Sequence, residues 1–435
     1  MAQPVADPTG AYGAMKNADE GYRGRLVDGR IESLLGSFGG VLITGPKWCG
    51  KSWTGFHHAR SALLVDQKPN LAKARLAPYE ALSGEYPLLV DEWQHAPELW
   101  DAARRRIDFE RARGMYIFTG SATPPGDAPM HSGTGRFATV EMRTLSSFES
   151  GDSDGSASLS ALFDRGRVEV SLSDMGFPKA TEIICRGGWP DAVWSANGNG
   201  AETARGYLSS VAESDISRAD GVRRSATTSR AVLRSLARNS ATQVKYTTIR
   251  SDASRDDGTD VSDQTVGSYV EALKKIFVVC EQEAWLPSLR SRTRMRTSPK
   301  IHLTDPSLAA AAMKATPKLL LDDPGTAGLL FESLCYRDLC VYAQNMGGEV
   351  LFFRDEKGFE IDEIVVLDDG RWGAIEVKLG DFEFDAAARN LLRLKDRMSD
   401  GARGPSFLAI LSASGGAAHT RDDGVAVIPI DKFGP

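Results

Sequence analysis

One octapeptide, Gly45-Pro-Lys-Trp-Cys-Gly-Lys-Ser52, constrains this chain more than any other feature. It fits the pattern GxxxxGK[ST] and follows directly on Gly40-Val-Leu-Ile-Thr44, a β-branched apolar run that reads as a strand. Where a helix follows such a loop, the backbone N–H groups turn toward phosphates, the lysine reaches the β- and γ-phosphates, and the hydroxyl ligates magnesium. Gly45, Pro46, Lys47, Trp48, Cys49, Gly50, Lys51, Ser52 and Trp53 are therefore the candidate nucleotide-binding residues, Lys51 among them as a catalytic group. The expected cofactors are ATP and Mg²⁺, with Ser52 as a metal ligand.

The flanking pattern agrees. Three more apolar runs, Ala62–Val65, Pro87–Val90 and Met115–Thr119, alternate with helical stretches such as 97–113. Continuous apolar strands alternating with helices indicate an α/β fold with a parallel sheet covered on both faces. Leu88-Leu-Val-Asp-Glu92 would deliver Asp91 to the carboxyl edge of that sheet, where ligands bind. Asp91 is expected to hold the magnesium shell, and Glu92 to orient or deprotonate the attacking water. Ser121, ending Phe118-Thr-Gly-Ser121, is expected near the γ-phosphate. Arg136, after Gly135, is a candidate arginine finger for its own nucleotide or a neighbour's, the latter requiring a homo-oligomer.

The 435 residues divide by pattern into a loose tail (1–20), the phosphate-loop core (21–150), a helical lid or linker (151–205), a winged-helix-like region (206–300) and a final α/β segment (301–435). The fourth segment reads as helices near 228–239 and 263–276, with a polar stretch between them, followed by a strand pair at 277–280 and 284–286. Net charge is −6, which excludes a protein that coats nucleic acid along its whole surface. The charge is uneven, however. Residues 216–300 hold sixteen Lys and Arg against nine Asp and Glu, +7, leaving −13 for the rest. Arg290, Arg292, Arg294, Arg296 and Lys300 form a stripe suited to phosphate contacts, so DNA is an expected partner of this segment. No stretch approaches the ~18 apolar residues of a membrane helix. The first twenty residues have no apolar h-region, and the five cysteines form no CxxC pair. A cytoplasmic protein with no membrane partner is the simplest expectation.

Near the C-terminus, Glu376-Val-Lys378 ends a predicted strand, and period-two geometry puts Glu376 and Lys378 on one face. Asp362 lies on the preceding strand, folded back by the turn at 368–371, and Glu332 on the preceding helix offers a third carboxylate. Hard oxygen ligands of this kind suit Mg²⁺ or Mn²⁺.

Taken in order, several marks resemble the AAA-like ATPases of bacteria and archaea that join a P-loop domain to a C-terminal domain of unknown function. The marks are Tyr22-Arg-Gly-Arg25, Gly45–Ser52, Leu88–Glu92, Thr119-Gly-Ser121, Gly135-Arg136, Leu145-Ser-Ser-Phe-Glu149, Gly187-Gly-Trp-Pro190, Asp215 and Pro299-Lys-Ile-His-Leu-Thr-Asp305. The C-terminal set resembles the PD-(D/E)xK restriction-endonuclease-like core. That resemblance implies that Asp362 and Glu376 hold one or two magnesium ions, that Glu332 assists, and that Lys378 polarises the scissile phosphate or the water. It implies a nucleotide state controlling a DNA-facing winged helix and a nuclease-like domain. The alternative is a nucleotide-gated binding switch that cuts nothing.

Overall fold

The structure, a computed structural model, describes residues 21–121, 133–195, 199–258, 261–286, 298–398 and 404–435. They gather into two compact units, one of residues up to 143 with 275–277, the other of 144–274 and 278–435.

The first unit is a five-stranded parallel sheet. Helix α1 (Asp28–Ser37) leads into β1 (Gly40–Thr44); α2 (Lys51–His58), β2 (Ser61–Leu64), α3 (Lys68–Leu76), β3 (Leu88–Asp91), α4 (Glu98–Glu110), β4 (Tyr116–Gly120) and β5 (Phe137–Glu141) follow. The strand order is β2-β3-β4-β1-β5. Four strands coincide with the apolar runs. The fifth, β5, carries polar Thr139 and Glu141 and does not read as an apolar run. One core fills the β3–β4–α4 side with Trp93, Trp100, Phe118 and Phe137; another packs α1 on β1 and β4 through Ile31, Val41, Ile43 and Ile117. Because β1 lies between β4 and β5, the loop that follows it emerges beside the carboxyl end of β4, one strand from that of β3.

In the second unit, helices α5 (Phe177–Arg186), α6 (Gly200–Ser210), α7 (Ala226–Arg238), α8 (Tyr246–Asp257) and α9 (Asp263–Lys275) precede an antiparallel pair, β6 (Val279–Gln282) and β7 (Lys300–Leu303). The polar stretch before residue 263 thus contains a helix, α8. The strand partner of β6 is Lys300–Leu303 rather than 284–286. Ala284 instead bridges to Phe352.

Helices α10 (Pro306–Ala312) and α11 (Pro324–Asn345) then lead into β8 (Gly348–Arg354), β9 (Glu360–Leu367), β10 (Trp372–Lys378), α12 (Phe384–Met398), β11 (Phe407–Ser412), β12 (Ala417–Thr420) and β13 (Ala426–Pro429). They build a seven-stranded mixed sheet, ordered β8-β9-β10-β11-β13-β12 with the two-residue strand Ser171–Leu172 at its edge. Helix α12 packs on the face carrying Ile364, Trp372, Ala374 and Ile410. The segment expected to be a linker is therefore woven into this sheet at Ser171–Leu172 and pairs again at Ala157 with Phe433.

Candidate nucleotide site and carboxylate centre

The loop 45–52 is built as a cradle between β1 and α2. Gly45 has φ +142°, and a Cβ there would lie 2.1 Å from Met142 O, so only glycine fits. Behind the loop, buried Arg25 donates from Nη1 to Cys49 O at 2.8 Å and from Nη2 to Arg143 O at 3.0 Å. The Tyr22–Arg25 mark thus holds the back of the loop. Buried Lys51 folds across it, Nζ donating to Pro46 O at 2.7 Å. Trp48 and Trp53 are exposed.

Ser52 Oγ donates to Asp91 Oδ1 at 2.8 Å, and Thr119 Oγ1 donates to the same oxygen. Helix α2 and strands β3 and β4 thereby bring two hydroxyls and a carboxylate together. Burial pushes the Asp91 carboxyl above the usual range, and the bonds from Thr119 and Ser52 only partly offset it. A buried, hydrogen-bonded carboxylate beside a serine hydroxyl fits a magnesium shell of hard oxygen donors.

Glu92 follows at φ +54°, a left-handed conformation that turns the chain sharply off β3. Its Oε2 accepts from Gln94 Nε2 and, at 3.3 Å, from Ser121 Oγ. Ser121 therefore stands beside the acidic pair. Sequence reasoning passed over Gln94, which only the turn brings into reach.

Arg136 is placed elsewhere. It precedes β5, and β5 pairs with β1 in parallel, Gly40 opposite Phe137 and Thr44 opposite Glu141. Arg136 thus lies at the amino edge of the sheet, about 20 Å along β1 from the loop. Its Nε pairs with Asp108 Oδ1 at 2.8 Å. In this arrangement Arg136 stands away from the loop of its own chain.

Residues 38–150 match the AAA domain family. The chain carries a P-loop ATPase domain of that type. Residues 178–323 and 327–433 match two domains of unknown function, DUF8612 and DUF4143. Among solved structures the chain is similar to the Walker-type ATPase PABY2304 of Pyrococcus abyssi, at 14% identity and TM-score 0.41, over 67% of this chain and 96% of that one. It is also similar to replication initiator DnaA bound to AMPPCP and single-stranded DNA (13%, TM-score 0.26, 62% and 89%) and to Aeropyrum pernix ORC1 in complex with DNA (12%, TM-score 0.24, 69% and 93%). No curated protein matches. Among the described residues, no helix is long and apolar enough to cross a membrane.

In the second unit, Asp362, Glu376 and Lys378 come together. Lys378 Nζ lies 3.2 Å from Asp362 Oδ2 and 2.6 Å from Glu376 Oε2, while Val377 N–H donates to Asp362 Oδ2 at 2.8 Å. Asn390 on α12 reaches Glu376 Oε1 at 3.4 Å. Glu332 does not join them as a third ligand. Its Oε1 is 2.7 Å from Lys300 Nζ. Among the described residues, the only three ligand-type side chains whose ligand atoms all lie within 4.8 Å of one another are Asp28, His57 and His58. Asp28 there already accepts from Tyr22 OH, His58 Nε2 and Arg25 N–H.

The expected basic stripe is also redrawn. Arg290, Arg292, Arg294 and Arg296 lie outside the described residues, and Lys300 is buried. In and beside the described part of this segment, Arg224 pairs with Asp220, Arg230 with Glu213, Arg250 with Asp263, and Lys274 with Glu271 and Glu281. Apart from Glu213, these partners are acids already counted in the +7, so the excess belongs to other basic residues, four of which are Arg290, Arg292, Arg294 and Arg296.

Burial, reinforced by Asp362, lifts the Glu376 carboxyl to about 8 against the pull of Lys378; burial likewise lifts Glu332 to about 7 against the pull of Lys300. Both keep in the native state a proton that the unfolded chain releases near its ordinary value of about 4.3. Stability therefore falls as pH climbs from about 5 to 8, because unfolding releases protons across that window. Thermal scans in a chelator are expected to give a lower midpoint for the second unit at about pH 8.5 than at pH 6. A midpoint that stays level or rises would contradict this environment for the two carboxyls.

Proposed function

We propose that this protein binds and hydrolyses Mg-ATP and that its nucleotide state controls the second unit, in which the three-helix and hairpin region faces DNA and the sheet domain is nuclease-like. The Ser52–Asp91 bond, with Glu92 held by Gln94 and Ser121, carries the ATPase part of this reading. Lys51 and the loop amides bind the phosphates, Ser52 and Asp91 would hold magnesium, and Glu92 orients and deprotonates the attacking water. Magnesium, when bound, neutralises charge developing on the phosphates. Arg136, at the opposite sheet edge, would serve only a neighbouring copy's nucleotide.

The nuclease-like part rests on Asp362, Glu376 and Lys378 at the end of β10. A divalent metal, when bound, would supply an acidified water for phosphodiester attack. Asp362 and Glu376 would hold it, and Lys378 would face the scissile phosphate. The second reading, a nucleotide-gated switch that cuts nothing, is favoured by one observation: in this arrangement Lys378 already engages both carboxylates.

Two assays test these readings. ATP turnover is expected to vanish in Lys51→Ala, and an unchanged rate would reject the ATPase mechanism. DNA and RNA incubated with Mg²⁺ or Mn²⁺ are expected to be cut by the unaltered protein and not by Asp362→Ala. Cleavage by neither selects the switch.

A further inference from the structure

Asp28 opens α1, and His57 and His58 close α2, the helix whose first two residues are Lys51 and Ser52. One ligand atom from each of the three lies within 4.8 Å of the others. His58 Nε2 is 3.1 Å from Asp28 Oδ1, the two side chains being only 5% and 18% exposed. The rings of His57 and His58 stand edge to face, 4.9 Å between centroids. The group is also held from behind. The Tyr22 ring stacks on His57 at 4.2 Å, while its hydroxyl donates to Asp28 Oδ1 at 2.8 Å and lies 3.1 Å from Thr54 Oγ1. Arg25 N–H donates to Asp28 Oδ2 at 2.7 Å. Burial opposes ionisation of Asp28, but the bonds from His58, the Arg25 amide and Tyr22 outweigh it and hold the carboxyl below its usual range. Outer partners of this kind fix the orientation of metal ligands.

We propose that Asp28, His57 and His58 bind a transition-metal ion such as Zn²⁺, which ties the start of α1 to the end of α2. Such a site is separate from Ser52 and Asp91 and does not depend on the ATPase reading.

The distances suit such an ion. Zinc holds nitrogen and oxygen ligands at about 2.0–2.1 Å in a tetrahedron, which sets donor atoms about 3.3 Å apart and the centroids of two bound imidazoles about 5 Å apart. The Asp28–His58 and His57–His58 separations are already near these values. His57, exposed at the helix end, has the freedom to close the third side. The ion takes the place of the hydrogen between His58 Nε2 and Asp28 Oδ1, the imidazole keeping its one proton on Nδ1, and water fills the fourth position. Two imidazoles favour Zn²⁺, Co²⁺, Ni²⁺ or Cu²⁺ over Mg²⁺, which prefers oxygen throughout. The carbonyl end of α2 adds negative potential beside the histidines. Among the described residues, the ion-pair partner of Asp28 is His58, and the Arg25 guanidinium is engaged by Cys49 O and Arg143 O. No fixed cation therefore stands in for the ion in these contacts, unlike Lys378 between its two carboxylates.

Calorimetric titration of the full chain with Zn²⁺, in excess Mg²⁺ and without nucleotide, tests the site independently of turnover. The unaltered protein is expected to bind a Zn²⁺ ion whose affinity falls at least about 10-fold in His57→Gln and in Asp28→Asn, since losing even an outer partner of a metal ligand costs that much. No Zn²⁺ uptake by the unaltered protein, or a smaller loss of affinity in either folded variant, would overturn the proposal. If Asp28→Asn does not fold, His57→Gln, at an exposed position, decides.

Discussion

Replacing Glu92 by glutamine is expected to lower ATP turnover by about 10²–10⁴-fold, the range typical of losing a positioned general base, while ATP binding changes little. The expectation follows from the division of labour at the ends of β3 and β4. In the proposed mechanism, binding falls to the loop amides, Lys51, Ser52 and Asp91, and neither Lys51 nor the Ser52–Asp91–Thr119 group uses Glu92 as a partner in the bonds described. Glu92 belongs to a second group with Gln94 and Ser121. Glutamine preserves size and can accept through its carbonyl oxygen, but it cannot take a proton from water. A nucleotide-binding measurement beside a turnover assay separates the two groups. Turnover within a few-fold of the unaltered protein would show that another residue activates the water. Ser121→Ala and Gln94→Ala, which unfix the carboxylate without removing it, are expected to fall between the two extremes.

How much of this could be read from the chain depended on whether chemistry was written locally. The phosphate loop, Asp91 and Glu92 are contiguous with apolar strands, so spacing alone placed them at a strand end. Asp362, Glu376 and Lys378 were legible because a hairpin with a short turn brings neighbouring strands into register. Lys300 was misread as part of a phosphate-facing stripe, since an alternating basic run looks the same whether its last member faces solvent or a buried carboxylate. Its partner Glu332 lies on α11, and no local rule reports that packing. The position of Arg136 was illegible for a related reason. It sits close in sequence to β4's site-forming end, but β5 starts from the opposite edge, and only strand order reveals this. Among the sequence marks shared with the resembled ATPases, several met at a place the sequence did not predict, one where no chemistry is proposed.

That place is Arg337. It is 2% exposed on α11, with Nη1 3.1 Å from Asp305 Oδ2 and Nε and Nη2 2.9 and 2.7 Å from Asp338 Oδ1. Asp305 Oδ2 also accepts from Thr144 Oγ1 and Gly188 N, its Oδ1 from Ser307 N and Oγ, and Asp338 Oδ2 accepts from Ser147 N. Trp189 Nε1 donates to Ser307 Oγ at 3.1 Å. The segments at 145–149, 187–190 and 299–305 therefore converge on one guanidinium. Gly188 belongs to the same node by necessity, because a Cβ there would lie 2.1 Å from Leu145 O. Arginine's planar fork can serve two carboxylates at once, and removing it strands both in a dry interior. Arg337→Met is expected to cost about 3–5 kcal/mol, read as a lowered midpoint for the second unit in chemical denaturation. Arg337→Lys, which keeps the charge but not the fork, is expected to lose less. A methionine variant within about 1 kcal/mol of the original would mean that the two aspartates are kept neutral, in which case a hydrogen-bonded acid rather than an ion triad would hold these segments together.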